Sequence, residues 1–165
     1  MDLINIIKKI ESYNCNLVEI TGGEPLLQDN TCELISELIE KKYQVLLETN
    51  GSIDISNVHP ECIKILDIKC PSSNESHNNL KKNLSFLTIK DELKFVIGTR
   101  EDYEFAKAFI KSENPIIDHE QIHFSPVFDK ILPKTLATWI ISDNLNIRMS
   151  LQIHKIIWDK DKRGV

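Results

Sequence analysis

Five short segments carry residue types that can do chemistry where they meet: Thr21-Gly22-Gly23-Glu24-Pro25, Glu48-Thr49-Asn50-Gly51, Asp67-Ile68-Lys69-Cys70-Pro71-Ser72-Ser73, Phe124-Ser125-Pro126-Val127-Phe128 and Gln152-Ile153-His154-Lys155. In the first, two glycines let backbone N–H groups approach an anion, and Glu24 supplies a carboxylate for a neighbouring cation. An amino-acid zwitterion satisfies both halves, and the same residues also fit an ordinary tight turn. Ser125 to Phe128 can offer backbone groups and an aromatic face to a purine, or can simply pack Phe124 and Phe128 into a core. The four cysteines, Cys15, Cys32, Cys62 and Cys70, form no local CxxC or CxxxC group. They read as free, mostly buried thiols, because zinc and iron–sulfur sites usually draw their thiolates from one short loop.

The elements that must position these segments follow from periodicity. Leu3, Ile6, Ile7, Ile10 and Tyr13 recur at helical spacing behind Asp2, which is placed to cap a helix. Strands are predicted over 17–21, 44–48, 63–69, 93–97 and 121–124, with a long last strand over 147–157. Helices are predicted over about 32–42, 101–111 and 134–143, and 83–88 reads as a loop or short helix. Strand and helix alternating at this pitch imply right-handed βαβ units and a parallel sheet, open or curled into a partial barrel. In such folds ligands sit beyond the carboxyl ends of the strands, where all five segments fall.

Strands covered on both faces should be almost wholly apolar, yet several here alternate. Charges take every second position in Ile65-Leu66-Asp67-Ile68-Lys69 and Glu92-Leu93-Lys94-Phe95-Val96, and Arg148, Ser150, Gln152 and His154 continue the pattern. Period-two side chains share a face. One side of the sheet is therefore expected to be a wet, ligand-holding concavity, with Met149, Leu151 and Ile153 under helices on the other; strands lying at a solvent-facing edge give the same pattern.

Composition narrows the function classes. With 165 residues, 41% hydrophobic and 27% charged, the chain suits one domain over 1–165. A net charge of −5 provides no general basic field for a phosphate backbone, so a small molecule is expected as partner and nucleic acid is not. No apolar run approaches the ~20 residues needed to span a bilayer, and no signal-peptide layout opens the sequence; a cytoplasmic protein is expected.

In this order the five segments, together with Glu19-Ile20 ahead of the first, Leu26-Leu27, Lys94-Phe95-Val96-Ile97 and Leu151-Gln152-Ile153-His154-Lys155-Ile156-Ile157-Trp158, strongly resemble the 7-carboxy-7-deazaguanine synthases of the radical S-adenosylmethionine superfamily, from about Val18 to Val165. The resemblance implies a partial (β/α) barrel and a carbon–nitrogen lyase. Such enzymes convert 6-carboxy-5,6,7,8-tetrahydropterin to 7-carboxy-7-deazaguanine by radical ring contraction with loss of ammonia, on the way to queuosine and related deazapurines. It implies that Gly22, Gly23 and Glu24 hold the methionine end of S-adenosylmethionine. Cys70, Pro71 and Ser72, with Ser125, Pro126, Val127 and Phe128, would contact its ribose and adenine. Thr21, Gln152 and His154 would touch the pterin. A [4Fe–4S] cluster, magnesium, a reducing flavodoxin-like partner and a homodimer are implied for the complete enzyme.

Family members carry, upstream of the opening helix, a first strand and a CxxxCxxC loop that also supplies a magnesium-binding threonine. That motif is not present in these 165 residues. Two readings follow: an N-terminally shortened form of a lyase, missing its first strand, or an inactive module that binds S-adenosylmethionine and pterin. An unrelated α/β hydrolase is disfavoured, because no Gly-x-Ser-x-Gly elbow occurs.

Overall fold

The structure, a computed structural model, describes residues 2–159 and 162. The extreme ends of the expected domain, Met1 and the last residues of the resemblance to Val165, lie outside the described residues.

Helix α1 (Leu3–Glu11) begins where the Asp2 carboxylate accepts the Asn5 N–H at 2.8 Å, the expected cap. Strand β1 (Leu17–Ile20) leads through a short 3-10 turn, Pro25–Leu27, into α2 (Thr31–Glu40). Then come β2 (Gln44–Thr49), β3 (Ile63–Ile68), β4 (Glu92–Ile97), α3 (Arg100–Glu113), β5 (Ile122–Pro126), α4 (Pro133–Ser142), β6 (Arg148–Met149) and α5 (His154–Ile157). The 83–88 region lies mostly within a 3-10 stretch, Lys81–Phe86. All pairings are parallel and the strands stand in sequence order, β1-β2-β3-β4-β5-β6.

The register sorts side chains as the alternation predicts except in β3, where Ile65 and Asp67 are buried too and Lys64 lies buried on the covered side, paired with Asp91 at 3.2 Å. One face carries Val45, Leu47, Leu66, Ile68, Leu93, Phe95, Ile97, Ile122 and Phe124, all buried, and against them pack Ile35 and Leu38 of α2, Tyr103, Ala106 and Phe109 of α3, and Leu136 and Ile140 of α4. Phe95, Phe124, Phe109 and Tyr103 meet edge-to-face with centroids 5.5–5.8 Å apart, a favourable arrangement for ring quadrupoles. The other face carries Glu19, Glu48, Asp67, Glu92, Lys94 and His123.

The last strand is much shorter than expected. Pairing with β5 covers only His123↔Arg148 and Phe124↔Met149, and the backbone leaves the ladder after Ser150 N–H donates to the Phe124 carbonyl. Met149 packs against the core, but Leu151 and Ile153 are 39% and 60% exposed rather than under helices. An edge strand persists only as far as its single neighbour supplies partners, and β5 itself ends at Pro126, which has no N–H to donate. Gln152 therefore lies in an irregular segment and His154 opens α5; neither continues the polar alternation of the sheet.

Candidate functional site

Because every strand is parallel, the carboxyl ends of all six lie along one rim. At its start, Gly22 has φ +148°, a conformation that disfavours any residue with a side chain. A Cβ built on Gly22 or Gly23 would meet no atom within 4 Å, so this backbone faces open space and is accessible to a ligand. Behind the turn, Glu24 is buried. Its Oε1 accepts Leu26 N–H at 3.1 Å and Thr49 O–H at 2.9 Å, and its Oε2 accepts Asn50 N–H at 2.8 Å. Thr31 O–H donates to the Pro25 carbonyl at 2.6 Å and ties the turn to α2. Glu24 thus clamps the first rim segment to the second.

The third segment is buried at one end and braced at the other. Cys70 is 2% exposed, its thiol directed back to the Ile68 carbonyl, and burial pushes that thiol up to about 12. Pro71–Ser73 form a 3-10 turn, with Ser73 O–H donating to the Cys70 carbonyl at 2.6 Å. In the fourth segment Phe124 belongs to the core, Ser125 is buried, and Val127 N–H donates to the Ile97 carbonyl at 2.8 Å, joining the ends of β4 and β5. Phe128 is 38% exposed at the rim, with Lys155 Nζ 5.3 Å from its ring centroid. Thr21, Gly22 and Gly23 are exposed, as are Gln152 and His154 beyond β6.

Below the rim lies a row of ionisable side chains on the uncovered face. Lys94 Nζ meets Glu48 Oε1 at 2.6 Å, Lys69 Nζ meets Asp67 Oδ2 at 2.6 Å, and His123 Nε2 lies 3.2 Å from Glu92 Oε2. Burial, opposed by Lys69, raises the Asp67 carboxyl, whose Oδ1 is buried without a hydrogen-bond partner among the described residues. Burial and then the Glu48 charge raise Glu19, while the His123 contact holds Glu92 below its ordinary range. His123 Nε2 has no other partner among the described residues. The sequence announced these charges but not their pairing: Lys94 and Glu48 are 46 residues apart and meet only through register.

The remaining thiols do not converge. Cys15 is exposed, Cys32 partly buried and Cys62 buried, its thiol pushed up to about 12 chiefly by burial. No group of three or more His, Cys, Asp or Glu suited to a metal ion occurs among the described residues. The thiols present do not fit an iron–sulfur cluster.

This architecture is the partial (β/α) barrel of the radical S-adenosylmethionine type. Streptococcus suis SuiB, in a structure with bound S-adenosylmethionine, matches 89% of this chain and 40% of its own with a TM-score of 0.58 at 13% identity. SuiB bound to its precursor peptide SuiA matches with a TM-score of 0.60 at 12% identity, covering 90% of this chain and 40% of its own. The sequence is closer to other proteins, and the chain belongs to the 7-carboxy-7-deazaguanine synthase family. It is 41% identical over 162 residues to the synthase of Koribacter versatilis, covering 90% of this chain and 72% of that one. It is 39% identical over 168 residues to the synthase of Chlorobaculum tepidum, covering 100% of this chain and 76% of that one. No family model matches the chain.

Proposed function

We propose that this chain is the S-adenosylmethionine- and pterin-binding body of a 7-carboxy-7-deazaguanine synthase acting on 6-carboxy-5,6,7,8-tetrahydropterin, with residues 1–165 working as one domain. The observation that carries the reading is the open Gly22–Gly23 backbone at the carboxyl end of β1, followed in the chain by the buried Glu24 whose carboxylate ties this turn to the end of β2. Backbone N–H groups there would take the methionine carboxylate, and Glu24 would face the ammonium with the lone pair its three donors leave free. Cys70, Pro71, Ser72, Ser125, Pro126, Val127 and Phe128 line the ends of β3 and β5 and would hold the nucleoside. Thr21, Gln152 and His154 would meet the pterin, the last two from the segment beyond β6.

S-adenosylmethionine bound here would supply radical chemistry once reduced. In the complete enzyme the electron source would be a [4Fe–4S] cluster served by a flavodoxin-like reductant, with magnesium assisting. No step of that chemistry is assigned to the cysteines of this chain. A second reading, a binding module inactive by itself, is favoured by those same scattered thiols. Anaerobic treatment of the 165-residue chain with iron and sulfide should leave it colourless, and stoichiometric cluster absorption would overturn the placement of the cluster outside these residues. The exposed row Ile153, Ile156, Ile157 and Trp158 supports a homodimer, and the free thiols support a cytoplasmic, reducing setting. Among the described residues no helix is long and apolar enough to cross a membrane.

Calorimetric titration with S-adenosylmethionine tests the core of the proposal. Saturable one-site binding is expected; a flat titration removes the reading.

A further inference from the structure

The Ser72 turn at the end of β3 is held by a residue that no rim segment contains. Asp102, on the first turn of α3 and fully buried, is where three pieces of backbone meet. Its Oδ1 accepts Ser72 N–H at 2.9 Å. Its Oδ2 accepts Ser72 O–H at 2.6 Å, Gly98 N–H at 2.9 Å and Thr99 N–H at 2.9 Å. The fit is close: a Cβ at Gly98 would stand 3.1 Å from Ser72 Oγ, 3.3 Å from Val127 Cγ2 and 3.4 Å from Asp102 Oδ2, so a side chain there would press on all three. Val127 is itself tied to the Ile97 carbonyl, so the carboxyl ends of β3, β4 and β5 form one joint around a single carboxylate.

A helix cap would need less than this. The capping box with Thr99 accounts for Asp102 at the third position of α3, but not for its two bonds to a loop 30 residues away. Those bonds also fix the polarity of Ser72. With its amide N–H and its hydroxyl hydrogen both directed at Asp102, Ser72 can offer a ligand only acceptor lone pairs.

We infer that Asp102 is a positioning residue for the cofactor's nucleoside end: it locks the Ser72 turn against Gly98 and Val127 and turns the Ser72 hydroxyl oxygen into an acceptor for a ribose O–H. The inference rests on the function proposed above and adds to it the residue that sets the polarity of the Ser72 contact. Burial alone would raise the Asp102 carboxyl, yet the Ser72, Gly98 and Thr99 donors hold it below its ordinary value, which agrees with a carboxylate that stays ionised and accepting.

The test compares S-adenosylmethionine with its 2′-deoxy and 3′-deoxy analogues by calorimetry, on the 165-residue chain and on its Asp102→Asn variant. The unaltered chain should prefer S-adenosylmethionine over at least one analogue by about tenfold, because a site built around a hydroxyl is left with an unpaired polar group when it is missing. In Asp102→Asn that preference should shrink below about threefold, while S-adenosylmethionine itself binds about tenfold more weakly. A role confined to fold stability would lower the melting temperature and leave the preference intact in the folded fraction, and that result overturns the inference. If Asp102→Asn does not fold, Ser72→Ala, which leaves Asp102 its Gly98 and Thr99 donors, should lose the preference; its retention overturns the inference equally. Failure of the unaltered chain to bind S-adenosylmethionine overturns the proposed function and this inference together. Binding with an unchanged preference in the variants overturns the inference alone.

Discussion

The two faces of this sheet come from the same six strands and differ in what each asks of its side chains. On the covered face, Phe95 and Phe124 are fully buried and interlock with Phe109 and Tyr103 of α3. On the open face, Glu48 and Lys94 keep about a quarter of their side-chain surface and find each other across a strand. The covered face stabilises by removing apolar surface from water, which needs shape; the open face holds charge in place at small net gain, which needs register. Stability and binding should therefore respond to mutation on opposite faces.

The largest effect is expected on the covered face. Phe124→Ala should cost about 3–5 kcal/mol of stability, read as a lowered denaturant midpoint at unchanged slope, because the cavity lies between Phe95 and Tyr103 where neither can collapse. A cost near 1 kcal/mol would mean the aromatic cluster is looser than its edge-to-face geometry. The rim, where the faces meet, comes next. Glu24→Gln keeps size and removes the charge, so S-adenosylmethionine affinity should fall by about 1.5–3 kcal/mol, roughly ten- to a hundredfold. An affinity within about twofold of the parent, in the folded protein, would reduce Glu24 to the clamp it makes with Leu26, Thr49 and Asn50.

On the open face, Lys94→Met should change stability by about 1 kcal/mol or less, since its pair with Glu48 is partly solvated, while pterin binding weakens measurably. A stability loss equal to that of Phe124→Ala would break the distinction between the faces. The smallest effect belongs to Glu19. Its carboxyl is raised above the ordinary 4.5, so the folded state holds a proton that the unfolded chain has released, and stability falls as pH rises from 4.5 through the raised value. Glu19→Gln should remove that slope and leave the protein slightly more stable at neutral pH. The Glu19 side chain is only partly withdrawn from water and the residue as a whole is exposed, so screening keeps the gain small; a steeper slope in the variant would contradict the assignment.

Much of this was readable in the amino-acid order. Burial of alternate residues in β4 follows from the polar and apolar alternation of Glu92 to Val96, whereas β3, read the same way, buries Ile65 and Asp67 as well; the rim follows from the parallel sequence of elements. Ile147, Met149, Leu151 and Ile153 alternate as a strand should, which is why the segment reads as one; what ends β6 is the lack of partners past Ser150, a property of the neighbour and not of the segment. Asp102 was hidden differently. The Thr99–Asp102 capping box is local and visible, but it explains Asp102 so well that nothing in the sequence points to Ser72. Contacts made by register or by loops far apart in the chain leave no periodic trace.

The sequential strand order bears on how the molecule is made. Each new strand emerges from synthesis next to the edge laid down just before it, so the sheet can grow one neighbour at a time without threading a strand between two that already pair. Such growth favours early formation of β2 through β4 over late insertion. Among the described residues it also leaves the short edge strand, the two residues of β6, as the first place to open when the protein breathes, and the segment carrying Gln152 and His154 would ride on that motion.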